Sequence, residues 1–95
     1  MLISKLVGKT VCVAVQLPDG THNYHLGELV AYDQLYLEIK RVCWVKDTGR
    51  HGEFFHGKFD SNAEIEVYDE SVSKFLPLWG SEITEYPFDI PKESV

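Results

Sequence analysis

Ninety-five residues make one domain, and a chain that is 44% apolar and 13% aromatic is a folded protein rather than a disordered one. No run approaches the ~20 apolar residues of a membrane span, and MLISKLVGK lacks the apolar core and small-residue cleavage site of a secretory leader, which predicts a cytoplasmic location. The net charge of −6 is unevenly spread. In residues 40–59, Lys40, Arg41, Lys46, Arg50 and Lys58 outnumber Asp47 and Glu53, whereas residues 60–95 set nine acids against Lys74 and Lys92. A polyanionic partner would have to meet the middle segment and avoid the tail.

Met1 to Gly8 predicts a short helical turn, with Leu2, Ile3 and Leu6 on one face and Gly8 as its stop. The first strand spans about Lys9 to Leu17. Val11, Val13, Val15 and Leu17 share one face, and Cys12 and Ala14 keep the other small and apolar, so both faces are expected to be covered. Cys12 and Cys43 show neither CxxC spacing nor a leader, and read as reduced, buried thiols. Pro18-Asp19-Gly20 is a turn, with φ preset by Pro and positive φ accepted by Gly.

The second strand runs from roughly Asn23 to Tyr32, and its interior Gly27 predicts a bend or a close backbone approach. The third covers Leu35 to Val45. Leu35, Leu37 and Ile39 take odd parity, Val42 and Trp44 even, so a one-residue bulge is expected at Lys40-Arg41. Lys46 to Gly52 reads as a polar hairpin loop. A fourth strand is predicted over Glu53–Phe59, a turn at Asp60-Ser61-Asn62, and a fifth strand through Ala63, Ile65 and Val67. Asp69 is placed to cap a helical turn presenting Val72, Phe75 and Leu76, ended by Pro77. The remainder, with Trp79, Tyr86, Phe88 and Ile90 among prolines, is expected to drape over the domain or over a neighbouring subunit. The expected fold is all-β: a small, strongly bent, five-stranded antiparallel barrel (residues 1–77) with a short N-terminal helical turn and a C-terminal extension (residues 78–95).

Gly8-Lys9, Val11-x-Val13, Leu17-x-Asp19-Gly20, Gly27-x-Leu29-x-Ala31-Tyr32-Asp33 and Leu35-x-Leu37-x-Ile39 together resemble the first motif of the Sm/LSm family. The resemblance implies an SH3-like barrel that assembles into homo-oligomeric rings, through pairing of the fourth and fifth strands of neighbouring subunits, and binds RNA. Where that family carries Arg-Gly between its last two strands, this chain has His56-Gly57-Lys58, and its turn after the second strand is shorter.

The candidate nucleic-acid-binding residues are Asp33, Gln34, Tyr36, Lys40, Arg41, Arg50, His56 and Lys58: cations for a backbone, an aromatic face for a base and polar groups for its edge. The leading expectation is a non-catalytic protein of RNA or DNA processing that binds single strands. The alternative is a structural or protein-interaction module, favoured by the acidic tail. No catalytic constellation stands out, and no cofactor is expected. His22 and His25 fall on opposite faces of a strand, which argues against a shared metal.

Overall fold

A computed structural model describes residues 3–46, 53–59 and 64–92. A 3-10 helix over Ile3–Leu6 precedes β1 (Thr10–Gln16), β2 (His22–Tyr32) and β3 (Tyr36–Lys46). A second 3-10 helix follows at Glu53–His56, then β4 (Ile65–Val67), β5 (Lys74–Pro77) and β6 (Ser81–Glu85). The architecture is all-β: one six-stranded antiparallel sheet in the order β4-β3-β2-β1-β6, with β5 also paired to β3. β5 runs beside Tyr36–Ile39 and β4 beside Cys43–Val45, so the two share one edge of β3. No described helix is long and apolar enough to cross a membrane.

The meander β1-β2-β3 forms as its branched and aromatic side chains dictate. Val11 and Val13 face one way, Cys12 the other, and all three are buried. At Leu17 to Thr21 the chain reverses: Asp19 Oδ1 accepts from the Thr21 amide and hydroxyl, and Gly20 takes φ +90°.

The expected bulge lies in β3. Leu26 pairs with Cys43, but Glu28 pairs with Lys40, so β3 carries one extra residue there. Arg41 absorbs it with φ +55°. The extra residue changes parity, and Val42 joins Leu37 and Ile39 on one face while Cys43 and Val45 take the other. Gly27 sits opposite this point. A Cβ there would lie 2.8 Å from the Lys40 carbonyl oxygen, so only glycine lets the two strands approach this closely.

The kinked sheet curls. Only Leu78, Trp79 and Gly80 separate β5, on β3, from β6, on β1. Four strand spacings of ~4.8 Å would set β5 and β6 about 19 Å apart in a flat sheet. Instead the Ser81 hydroxyl donates to the Pro77 carbonyl at 2.6 Å. Inside the curl, Val11, Val13, Leu29, Leu37, Ile39, Val42 and Leu76 form the first core cluster. Leu6 of the N-terminal turn joins them, and the Gly8 amide donates to the Leu29 carbonyl at 2.8 Å. A second cluster covers the other face: Cys12, Leu26, Cys43 and Val45 lie under Phe54 and Tyr86. The Tyr86 hydroxyl donates to the Phe54 carbonyl, tying the two covering segments together. Burial pushes both thiols up, Cys12 to about 12 with help from the Glu82 charge and Cys43 to about 11. Both are free and buried, and a raised pKa disfavours the thiolate form that reacts.

Three expectations are corrected. Among the described residues the sheet has six strands rather than five, and no strand pairing closes it. Residues 53–56 of the expected fourth strand form a 3-10 helix, because Gly57 at φ +79° leaves the extended region and its amide turns back to the Phe54 carbonyl at 3.0 Å. Asp69 caps no helix. Its Oδ1 holds the Ser71 amide and hydroxyl in one turn, and the chain then extends as β5, alternating Leu76 inward with Phe75 outward. Pro77 fits because β5 is an outer strand. Beyond residue 77, β6 belongs to the sheet itself, and Tyr86 and Ile90 pack on its second cluster. The predicted turn at Asp60 to Asn62 lies outside the described residues.

One polar side chain is buried among the described residues: His25, 4% exposed, its Nδ1 without a hydrogen-bond partner. Desolvation first, and the Lys74 charge second, push its pKa from the ordinary 6.5 down to about 4. Between those values the unfolded chain binds the extra proton and the folded chain does not. Stability is therefore full above pH 6.5 and falls as pH drops toward 4. Asp19, Asp33 and Asp69, held low by their turn hydrogen bonds, lose their contributions only below the ordinary 3.8.

Two predictions result. Gly27→Ala destabilises by about 1–3 kcal/mol in urea denaturation, through overpacking against backbone; an unchanged midpoint contradicts the close approach. Wild type loses about 3 kcal/mol more than His25→Phe between roughly pH 7 and pH 4; parallel pH profiles for the two proteins contradict the buried neutral imidazole.

Candidate docking surface

One carboxylate builds the β2–β3 turn. Asp33 Oδ1 accepts from the amides of Leu35 (2.7 Å) and Tyr36 (2.8 Å), and these bonds hold its carboxyl below the usual range. The Asp33 amide donates to the Tyr36 carbonyl at 2.9 Å. The chain beyond β5 then closes on this turn. The Leu78 amide donates to the Leu35 carbonyl (2.8 Å), and the Trp79 indole donates to the Gln34 carbonyl (3.1 Å). Across β3 and β5, Tyr36 pairs with Pro77 and Glu38 with Phe75. These four share the face opposite Leu37 and Leu76, so Tyr36 and Phe75 are diagonal neighbours.

The outcome is an apolar end exposed to solvent. Leu35 is 59% exposed, Tyr36 51%, Phe75 64% and Trp79 77%. Leu35, expected in the core, falls before β3 begins and escapes its alternation. Phe75 was expected on a helix; extended geometry turns it away from Leu76 and outward.

The sequence-predicted site residues fall in separate places. Asp33, Gln34 and Tyr36 stand together at the apolar end. Lys40 and Arg41 lie at the bulge, with Arg41 about 16 Å along the strand from Tyr36. Arg41 donates to Glu28 at 2.6 Å, and Lys46 pairs with Glu64 at 3.2 Å, so acids lower the positive field of this region. His56 ends the second 3-10 helix and Lys58 follows it, both exposed, and Phe54 of that helix packs on the other face of the sheet from Leu37. Arg50 lies outside the described residues. Leu35, Phe75 and Trp79 were absent from the sequence-derived site. The signal for Phe75 and Trp79 was the run Phe75-Leu76-Pro77-Leu78-Trp79, more apolar than one buried face of a short strand requires.

Comparison with protein-family models, curated proteins and solved structures finds no match to this chain, so the Sm/LSm resemblance rests on the residues of its first forty positions alone.

Proposed function

We propose that the protein is a non-catalytic interaction module that docks a protein surface on its apolar end. The observation that carries this is the gathering of Leu35, Tyr36, Phe75 and Trp79, all exposed, by the β3–β5 register and two hydrogen bonds. Exposed aromatic groups on a rigid frame are what interface hot spots are made of, whereas scattered single apolar residues carry no such meaning. In this reading the curled sheet is a small SH3-like barrel. β5, which carries Phe75, has one described partner strand, leaving an open edge beside the apolar end for a second copy. The first partner to test is therefore the chain itself, in a homo-oligomeric ring.

A second reading, capture of single-stranded RNA or DNA, is favoured by one observation: the half-exposed Tyr36 ring beside Asp33 and Gln34. Stacking there would be worth ~1–3 kcal/mol per base, with Lys40 and Arg41 further along the strand meeting phosphates.

Sedimentation and native mass measurement test the first reading. The wild type is expected to self-associate, and the Tyr36→Ser, Phe75→Ser, Trp79→Ser variant to run as a monomer with an unchanged melting curve. A wild type that stays monomeric at about 100 μM, some hundredfold above a micromolar Kd, contradicts it. For the second, oligonucleotide affinity must fall on a log–log slope with salt, and Tyr36→Ala must weaken it about tenfold; no binding at low salt removes that reading.

A further inference from the structure

The inner mouth of the curl holds a second, chemically different concavity. It is an open, shallow recess of about 400 Å³ lined from β1, β2, β3, β4 and β5. Val15, Trp44 and Leu76 give it apolar walls; Asn23, His25 and Lys74 supply polar groups. Glu66 stands exposed at its rim.

Two features of this mouth are unusual for a structural role. Lys74 is half-buried, and among the described residues no carboxylate lies within ion-pair distance of it. Its ammonium is instead positioned by Tyr68, 3.0 Å from the hydroxyl and 4.8 Å from the ring centroid. Beside it, in the same lining, His25 is 96% buried with an unpartnered Nδ1. Buried polar atoms are almost always paired, and exceptions call for a ligand, a water or a function. Walled by apolar groups, the recess presents one cation, Lys74, in its lining, with the Glu66 carboxylate out at the rim.

The geometry points to a binding site for a monoanionic carboxylate on an apolar body, with Lys74 as the counter-ion and Trp44, Val15 and Leu76 as the walls. One cation balances one carboxylate; a phosphate dianion would leave a charge uncompensated. The indole and the aliphatic walls suit a ring or branched side chain of that body. Two sources share this chemistry: a free aromatic or branched acid, and the terminal carboxylate of a peptide ending in an apolar residue. The site lies on the inner side of β5 and does not use Tyr36, Phe75 or Trp79, so it stands or falls separately from the docking surface.

The test is titration of the full chain with benzoate, followed by amide and indole NMR shifts, with benzamide as the neutral isostere. Benzoate is expected to saturate with a Kd on the order of 1 mM and to shift Trp44, Tyr68 and Lys74. Benzamide is expected to bind at least tenfold more weakly. Lys74→Met should cut benzoate affinity about tenfold, while Lys74→Arg retains it, and the melting curve reports that each variant is folded. A short peptide ending in free Phe, compared with its amidated form, separates the sources: a preference for the free carboxylate identifies a protein terminus, and binding of benzoate alone identifies a free acid. Equal binding of benzoate and benzamide, or wild-type benzoate affinity in folded Lys74→Met, overturns the proposal.

Discussion

The contact between the backbone at Gly27 and the Lys40 carbonyl governs this fold. A missing Cβ lets β2 and β3 meet where a bulge has added a residue, and Arg41 at φ +55° absorbs the excess. Without that kink, Leu37 and Val42 would lie on opposite faces, because they are five positions apart and side chains alternate with period two. With it they share a core with Val11, Val13 and Leu29. The same bend turns the sheet enough for three residues to carry the chain from β5 on one margin to β6 on the other.

Curling has two consequences for chemistry. It buries one face around Leu29, Leu37 and Ile39 and requires separate cover for the other, which Phe54 and Tyr86 provide. It also makes two unlike ends of β5. Lys74 and Leu76 look into the concavity, while Phe75 looks out beside Tyr36. A four-residue strand thus serves a polar recess and an apolar surface through simple alternation. The exposed ion pairs, Lys9 with Glu85, Arg41 with Glu28 and Lys46 with Glu64, add at most about 1 kcal/mol each. Each buried Leu or Ile side chain contributes about 1.5–3 kcal/mol, so packing rather than charge decides this structure.

The meander was legible because its signals are local. Val11 to Val15 alternate, Pro18-Asp19-Gly20 punctuates, and the parity change at Lys40-Arg41 states the bulge in the sequence itself. The later half was less legible because tertiary partners override local pattern there. Phe55 and Phe59 share a strand parity, with Phe54 and His56 on the other, yet the positive φ of Gly57 and the pull of Tyr24 and Tyr86 make a 3-10 helix of residues 53–56. Val72, Phe75 and Leu76 fit a helical face, but the open margin of β3 offered Lys74–Pro77 a ladder. The candidate site suffered from the same cause. Cations close in sequence are held apart by the long β3, whereas Tyr36 and Phe75, 39 positions apart, become neighbours only through strand pairing. His25 reads as one histidine among four; its isolation depends on the curl, which no local pattern encodes.

The central claim is that one kinked meander is wrapped so that its outer strands β5 and β6 are brought together. Nuclear Overhauser contacts measured across the sheet test it most directly. The account predicts cross-strand contacts from Val13 to Ile83 and from Leu37 to Leu76 in the same molecules, together with a Ser81–Pro77 contact at the corner. An ordered β1-β2-β3 meander with neither Ile83 nor Leu76 in contact with it would contradict the account.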